Sequence, residues 1–244
     1  VASPDGRESW LVYHSKTVAR DGWDDRAIFL KRFDWNADGT PDFGQPLPSR
    51  EASELPAGEP CGLVASDDQL LPPDLTAQTS DGGIHLADSF VDTGVSRVDT
   101  LSSYSVSTWI RLDATGTPMA ILSQDGGISS NFALEYSGET FAFTLFDTIG
   151  NHPVSAMGVT TPVAGDWYHL VAVRDARNNE ARLYVNGALE STAVFDQYWS
   201  ALGNIIIGGA RKSMQRVRLF SGSVKGISIY NGALNDEEVA ALFE

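Results

Sequence analysis

Two-residue alternation, with almost no helical periodicity, constrains this chain more than any other feature. Along most of its 244 residues, short runs of aromatic and β-branched residues are separated by Gly, Asn, Asp and Pro. That is the pattern of strands joined by turns. Trp10–Lys16 and Ala27–Trp35 read as the first two strands. In the second, Ala27, Phe29, Lys31, Phe33 and Trp35 share one face, and Ile28, Leu30, Arg32 and Asp34 the other. Neither face is cleanly polar, which suits a strand held between layers.

Further along, Tyr104–Leu112 alternates, with Tyr104, Val106, Thr108, Ile110 and Leu112 facing one way. Phe132–Tyr136, Phe141–Phe146, Trp167–Arg174, Ala181–Val185, Ile205–Ile207 and Val224–Tyr230 follow. Asp125-Gly126, Asn186-Gly187 and Asn231-Gly232 supply turn chemistry, because these residues tolerate positive φ. Many short strands punctuated in this way predict an all-β fold, an antiparallel sandwich. One helix closes the chain. Asn235 suits its N-cap, Asp236, Glu237 and Glu238 suit the positive end of its dipole, and Val239, Leu242 and Phe243 share a face. It is expected to plug an edge of the sandwich.

Between these parts the alternation breaks. Seven of the 11 prolines lie between Pro41 and Pro73, and such a stretch cannot make a sheet interior. The predicted organisation is therefore 1–48, a linker over 49–60, and a sandwich over 61–244.

Composition narrows the function. Hydrophobic residues at 42% against 20% charged leave ample material for a packed core. A net charge of −15 argues against nucleic acid and against anionic membrane surfaces, both of which need a basic footprint. The single cysteine, Cys61, cannot close an intrachain disulfide or build a zinc site, and no G-x-S-x-G elbow is present. No apolar run approaches the roughly 18 residues of a spanning helix. The opening Val-Ala-Ser-Pro reads as the start of a processed product or of a piece of something longer.

Two resemblances meet at the linker. Four segments resemble a laminin-G-like, concanavalin-A-like jelly roll of the kind attached to bacterial secreted proteins. They are Phe90-Val-Asp-Thr-Gly94; Tyr104-Ser-Val-Ser-Thr-Trp-Ile-Arg111; Asp166-Trp-Tyr-His-Leu-Val-Ala-Val173 with Leu183-Tyr-Val-Asn-Gly187; and Ile229-Tyr-Asn-Gly-Ala-Leu234 leading into Glu237-Glu-Val239. At the other end, Ser3-Pro-Asp-Gly6, Trp10-Leu-Val-Tyr-His-Ser-Lys16 and Phe33-Asp-Trp-Asn-Ala-Asp-Gly-Thr-Pro-Asp-Phe-Gly44 resemble the last blade of a five-bladed propeller. The propeller is that of glycoside hydrolase family 43, the arabinofuranosidases, arabinanases and xylosidases. The resemblances imply a concanavalin-A-like jelly roll preceded by a partial β-propeller blade. They further imply the C-terminal portion of a secreted, extracellular, inverting enzyme acting on arabinose-containing polysaccharide such as arabinan or arabinoxylan. The catalytic carboxylates of that family lie in earlier blades, so no catalytic residue is assigned here. The remaining blades would be this chain's partners. The alternative is a free-standing lectin-like carbohydrate-binding module without catalysis.

Each candidate residue has a functional and a structural reading. The propeller resemblance points His14 at the blade axis, where an ion or an ordered water is held; otherwise it is a structural histidine on a face with Trp10 and Val12. Asp34-Trp-Asn36-Ala-Asp38-Gly39 begins like a calcium loop but has Gln45 where a bidentate glutamate belongs, and reads instead as a hairpin turn. Asp81-Gly-Gly83, Asp88 and Asp92 sit where related jelly rolls gather calcium, while Lys225 stands where those modules carry an aspartate. For saccharide, the candidates are Tyr198, Trp199 and Asn131, beside Gln197, Asp125 and Asn151-His152, since sugar faces stack on exposed rings and hydroxyls bond to amides and carboxylates. The structural reading of Tyr198 and Trp199 is a loop folded over the sandwich. Trp109 and Trp167 lie in strands and are expected in the core.

Overall fold

In the first of two units, Val1–Pro60, the alternation builds a three-stranded antiparallel meander. Its strands are β1 (Ser9–Lys16), β2 (Arg26–Trp35) and β3 (Pro41–Asp42). The computed structural model describes residues 1–3, 6–16, 26–45, 62–71 and 83–243. β1 and β2 pair from Ser9 opposite Phe33 to Lys16 opposite Arg26. One face carries an aromatic strip: Tyr13 stacks on Phe29 at 5.5 Å, and Phe33 packs on Trp35 at 5.3 Å and on Phe43 at 5.0 Å. Trp35 and Phe43 remain exposed, whereas Trp10, on the opposite face, is buried. The β2–β3 connection is a hairpin turn. Its Asp38 carboxylate accepts from both the backbone N–H and the hydroxyl of Thr40, at 2.9 and 2.6 Å. The hydroxyl bond, first of all, holds this carboxyl below its usual pKa.

The second unit is Cys61–Glu244. Its elements are β4 (Gly62–Ser66), α1 (Asp67–Leu70), β5 (Ile84–Ser89), β6 (Val91–Asp92), β7 (Tyr104–Leu112), β8 (Met119–Asp125), β9 (Ser130–Tyr136), β10 (Phe141–Leu145), β11 (Val154–Met157), β12 (Trp167–Asp175), β13 (Glu180–Val185), β14 (Ala188–Val194), β15 (Ile205–Ile207), β16 (Ala210–Lys212), β17 (Gln215–Val217), β18 (Phe220–Asn231) and α2 (Asp236–Phe243). They form an antiparallel sandwich, as the alternation predicts. A six-stranded sheet runs β11-β10-β9-β8-β15-β6, and a seven-stranded sheet runs β14-β13-β12-β7-β18-β4, with β5 also on β18. The long β18 carries β4 along its second half and β5 along its first.

The core lies between the sheets. Val106, Ile110, Leu112, Leu170, Ala172, Leu183, Val224 and Ile229 meet Ile121, Phe132, Leu134, Phe141, Phe143, Ile205 and Ile207. Fully burying one such aliphatic or phenyl side chain is worth about 1.5–3 kcal/mol. Asn186-Gly187 makes the two-residue turn its sequence announces, with φ of 49° and 79°. Ser213-Met214 makes the same kind of turn between β16 and β17 without a glycine, at φ 51° and 64°.

Two expectations are corrected. Trp109 and Trp167 do not enter the core; they stand half-buried on the outer face of the seven-stranded sheet, because the inward positions of β7 and β12 are taken by Ile110, Leu170 and their alternates. Trp167 there lies 4.9 Å below the Arg111 guanidinium and 4.3 Å from the Lys225 ammonium. Nor does α2 plug an edge. Val239 packs with Val171, Val173, Tyr184 and Leu234 in a second small core on that same outer face. Its N-cap is as expected: Glu238 N donates to Asn235 Oδ1 at 3.0 Å, and Asn235 N to Glu238 Oε2 at 2.8 Å. The expected linker 49–60 and Cys61 lie outside the described residues.

Candidate functional site

Polar side chains buried on a sheet are the informative exception to the rule that interiors are apolar. The six-stranded sheet carries a row of them: Ser123, Asp125, Ser130, Asn131, Glu135 and Thr144 are all buried. The β16–β17 hairpin folds over part of this outer face, seating Ala210 on Ala120 and Ala133, with Val217 packed alongside. Its arginines answer the buried carboxylates. Arg216 grips Asp125 with both terminal nitrogens, at 3.0 and 2.7 Å, and Arg211 approaches the same carboxylate at 3.1 Å. Arg218, itself at a left-handed φ of 55°, pairs with Glu135, which also accepts from the Thr144 hydroxyl at 2.7 Å.

At the hairpin end of this face, loops bring together residues far apart in sequence. The 126–129 loop donates Ser129 Oγ to Asp147 O at 3.1 Å and accepts from Met214 N at Ile128 O, 2.8 Å. Trp199 folds onto the same loop, fixed by a bond from its indole nitrogen to Phe146 O at 2.8 Å. Its ring lies so close to Gly126 that a Cβ there would come within 2.4 Å of Cη2. The carbonyl of Gly126 in turn stands 3.5 Å from Arg211 Nη1. Gly126 is therefore flanked by a half-buried indole and by a guanidinium that keeps a third of its side-chain surface exposed. Ile128, Ile149 and Met214 are exposed around it.

The structure brings Trp199 and Asn131 together, since the Asn131 amide donates to Trp199 O at 3.2 Å. Thr100 Oγ1 donates to the same carbonyl at 2.9 Å, so this loop is tied both to β9 and to the turn that precedes β7. Tyr198, 45% exposed, points elsewhere: its hydroxyl donates to Ala176 O at 2.9 Å, and its ring covers Arg174. His152 Nδ1 lies 2.7 Å from Asp147 Oδ2, and that bond is the chief reason the Asp147 carboxyl is held below its usual pKa. His14 lies within β1, opposite Ile28, and its side chain is outside the described residues.

The aspartates weighed for calcium do not converge. Asp92 Oδ1 accepts from Gly94 N and Asn204 Nδ2, Asp88 Oδ1 accepts from Ser221 Oγ, and Asp81 is outside the described residues. Among the described residues no three His, Cys, Asp or Glu side chains are placed to hold a metal ion. These donors are spent on local bonds and do not fit a calcium shell, which takes 6–8 oxygens.

On the opposite sheet, His169 is buried with Nε2 2.8 Å from Ser107 Oγ and, among the described residues, no partner at Nδ1. Its ring lies 5.1 Å from Trp109 and 6.1 Å from Phe243 of α2. Burial lowers its pKa to about 4, so the imidazole is neutral. Among the described residues the Ser107–His169 pair has no third group to orient it, and both residues are buried.

Residues 81–240 match the family model of the concanavalin A-like lectin/glucanases superfamily. The chain belongs to this superfamily. Among solved structures, the superfamily sandwich is similar to the CBM40 module of the Ruminococcus gnavus IT-sialidase, bound to α2,3-sialyllactose, with TM-score 0.58 and 18% identity over 66% of this chain and 96% of that one. The NanB sialidase from Streptococcus pneumoniae matches at TM-score 0.52 and 17% identity, over 64% of this chain and 26% of that one. A pentraxin from Limulus polyphemus matches at TM-score 0.50 and 18% identity, over 64% and 81%. At such identities the likeness is one of fold. No curated protein matches the chain by sequence.

Proposed function

We propose that the sandwich is a lectin-like carbohydrate-binding module whose site is the hairpin end of the six-stranded sheet. The observation that carries the reading is the Trp199–Gly126–Arg211 arrangement. It offers a half-buried ring beside a partly exposed charged donor, on a face already lined with buried polar side chains. The sialyllactose-bound CBM40 module of similar fold supports the ligand class. In this reading the first unit is the closing blade of a family-43-type propeller, which would make the chain the C-terminal portion of a secreted arabinofuranosidase-like hydrolase. The Trp10–Lys16 strand and the Trp35–Gly39 turn support that part. The sandwich then holds the enzyme to arabinan or arabinoxylan.

A second reading, an acidic saccharide, is favoured by charge. Residues 197–235 contain no Asp or Glu but hold Arg211, Lys212, Arg216, Arg218 and Lys225, in a chain of net charge −15. Retention in native gels containing arabinan, arabinoxylan or xylan, and titration with sialyllactose against lactose, test both. Binding in either arm that Trp199→Ala abolishes supports the module, and no binding in any arm refutes it.

A further inference from the structure

One end of the sandwich interior holds a cation that meets no counter-charge among the described residues. Arg174 on β12 and Tyr104 on β7 are direct cross-strand partners, so their side chains rise from one face with Cβ atoms about 5 Å apart. That face is the interior, and each residue is only 2% exposed. Arg174 Nη1 donates to Asp175 O at 2.7 Å and to Glu180 O at 3.1 Å. Its guanidinium lies 5.5 Å from the Phe195 ring and 5.0 Å from the Tyr198 ring. Two buried polar atoms here have no partner among the described residues: Arg174 Nη2 and the Tyr104 hydroxyl. The neighbouring Asp175 carboxylate is turned toward Arg182, at 3.8 Å. Among the described residues no carboxylate stands within ion-pair distance of Arg174.

A buried guanidinium is strongly penalised unless it meets negative charge. Carbonyl dipoles and ring faces compensate only part of that cost. Burial holds the Tyr104 phenol far above its usual pKa, so its oxygen keeps the proton and stays a donor. Two spare buried donors on cross-strand neighbours of one face, one of them cationic, call for an acceptor that is itself charged. We propose that Arg174 Nη2 and the Tyr104 hydroxyl together bind one small monovalent anion, a halide or a carboxylate group, beneath Tyr198. The Tyr198 ring, 45% exposed and tethered through its hydroxyl to Ala176 O, covers the site from solvent. One guanidinium balances one negative charge, so a dianion such as sulfate would be left half-neutralised.

The test compares sodium chloride with sodium isethionate, a bulky sulfonate that is neither halide nor carboxylate, at equal ionic strength, using thermal unfolding of the full chain and the ³⁵Cl NMR line width. Chloride should raise the unfolding midpoint by about 3 °C in a saturable way. It should also show a broadened line that excess bromide narrows. Tyr104→Phe, which removes only the hydroxyl, should weaken both effects, and Arg174→Met should abolish them. Acetate in place of bromide separates the two anion sources: if it narrows the line the site takes a carboxylate, and if it does not the site is a halide site. Equal midpoints in chloride and isethionate with an unbroadened line would overturn the proposal. So would broadening that survives both substitutions.

Discussion

The buried imidazole of His169 ties the stability of the second unit to pH, and the size of the coupling follows from its position. Unfolded, the group titrates near its ordinary value of 6.5; folded, burial brings it to about 4. Between those values the unfolded chain takes up a proton that the native state refuses, so stability falls as the pH falls. Each pH unit inside the window removes about 1.4 kcal/mol. From about pH 7.5 to about pH 4.5 the loss from this one group is about 2.5 kcal/mol, nearly all of it below pH 6.5. His169→Gln keeps a hydrogen-bonding partner for Ser107, whose hydroxyl lies 2.8 Å from the imidazole, and cannot titrate. Urea unfolding of both proteins at several pH values in that range isolates the term, because the carboxylates titrate alike in each. The difference in stability between them should shift by about 2.5 kcal/mol in favour of the variant as the medium is acidified. Parallel pH profiles would show that His169 is protonated in the folded protein, and the argument from burial would fail.

Other substitutions probe the site and its supports. Arg216→Ala leaves the buried Asp125 to Arg211 and the Ser130 hydroxyl and should cost about 2–3 kcal/mol in urea unfolding, less than stranding the charge outright. Gly126→Ala would drive a Cβ into the Trp199 ring and Ser129 O; red-shifted tryptophan emission with loss of saccharide retention is the expected result. Asn235→Ala removes the N-cap of α2 and should cost about 1 kcal/mol, read as a lowered unfolding midpoint.

What the sequence could announce was local. The inward set of β7 is legible because every second residue is apolar, and Asn186-Gly187 and Asn235 act on their nearest neighbours. β8 was not legible, because Met119-Ala-Ile-Leu-Ser-Gln-Asp125 does not alternate; all seven positions are buried, the inward ones by the core and the outward ones under the β16–β17 hairpin. β14 escaped for the opposite reason, as an edge strand with no buried position. At the candidate site, Trp199, Asn131 and Asp125 were visible as residue types that suit saccharide. Arg211 and Arg216 were not, because their link to Asp125 spans more than eighty positions and leaves no pattern in any window. The acid-free run over 197–235 was the one available signal.

The turn at Ser213-Met214 has a consequence for anyone who would stabilise this protein. Left-handed backbone costs a residue with a Cβ roughly 1–2 kcal/mol, and asparagine followed by glycine relieves most of that. The chain thus carries an unspent reserve in a single two-residue turn. That reserve is lodged between Lys212 and Gln215, where Met214 leans on the 126–129 loop. Claiming it would remove the Met214 side chain from the rim of the site, so thermostability and ligand grip are expected to trade against each other at this turn before they do so anywhere in the core.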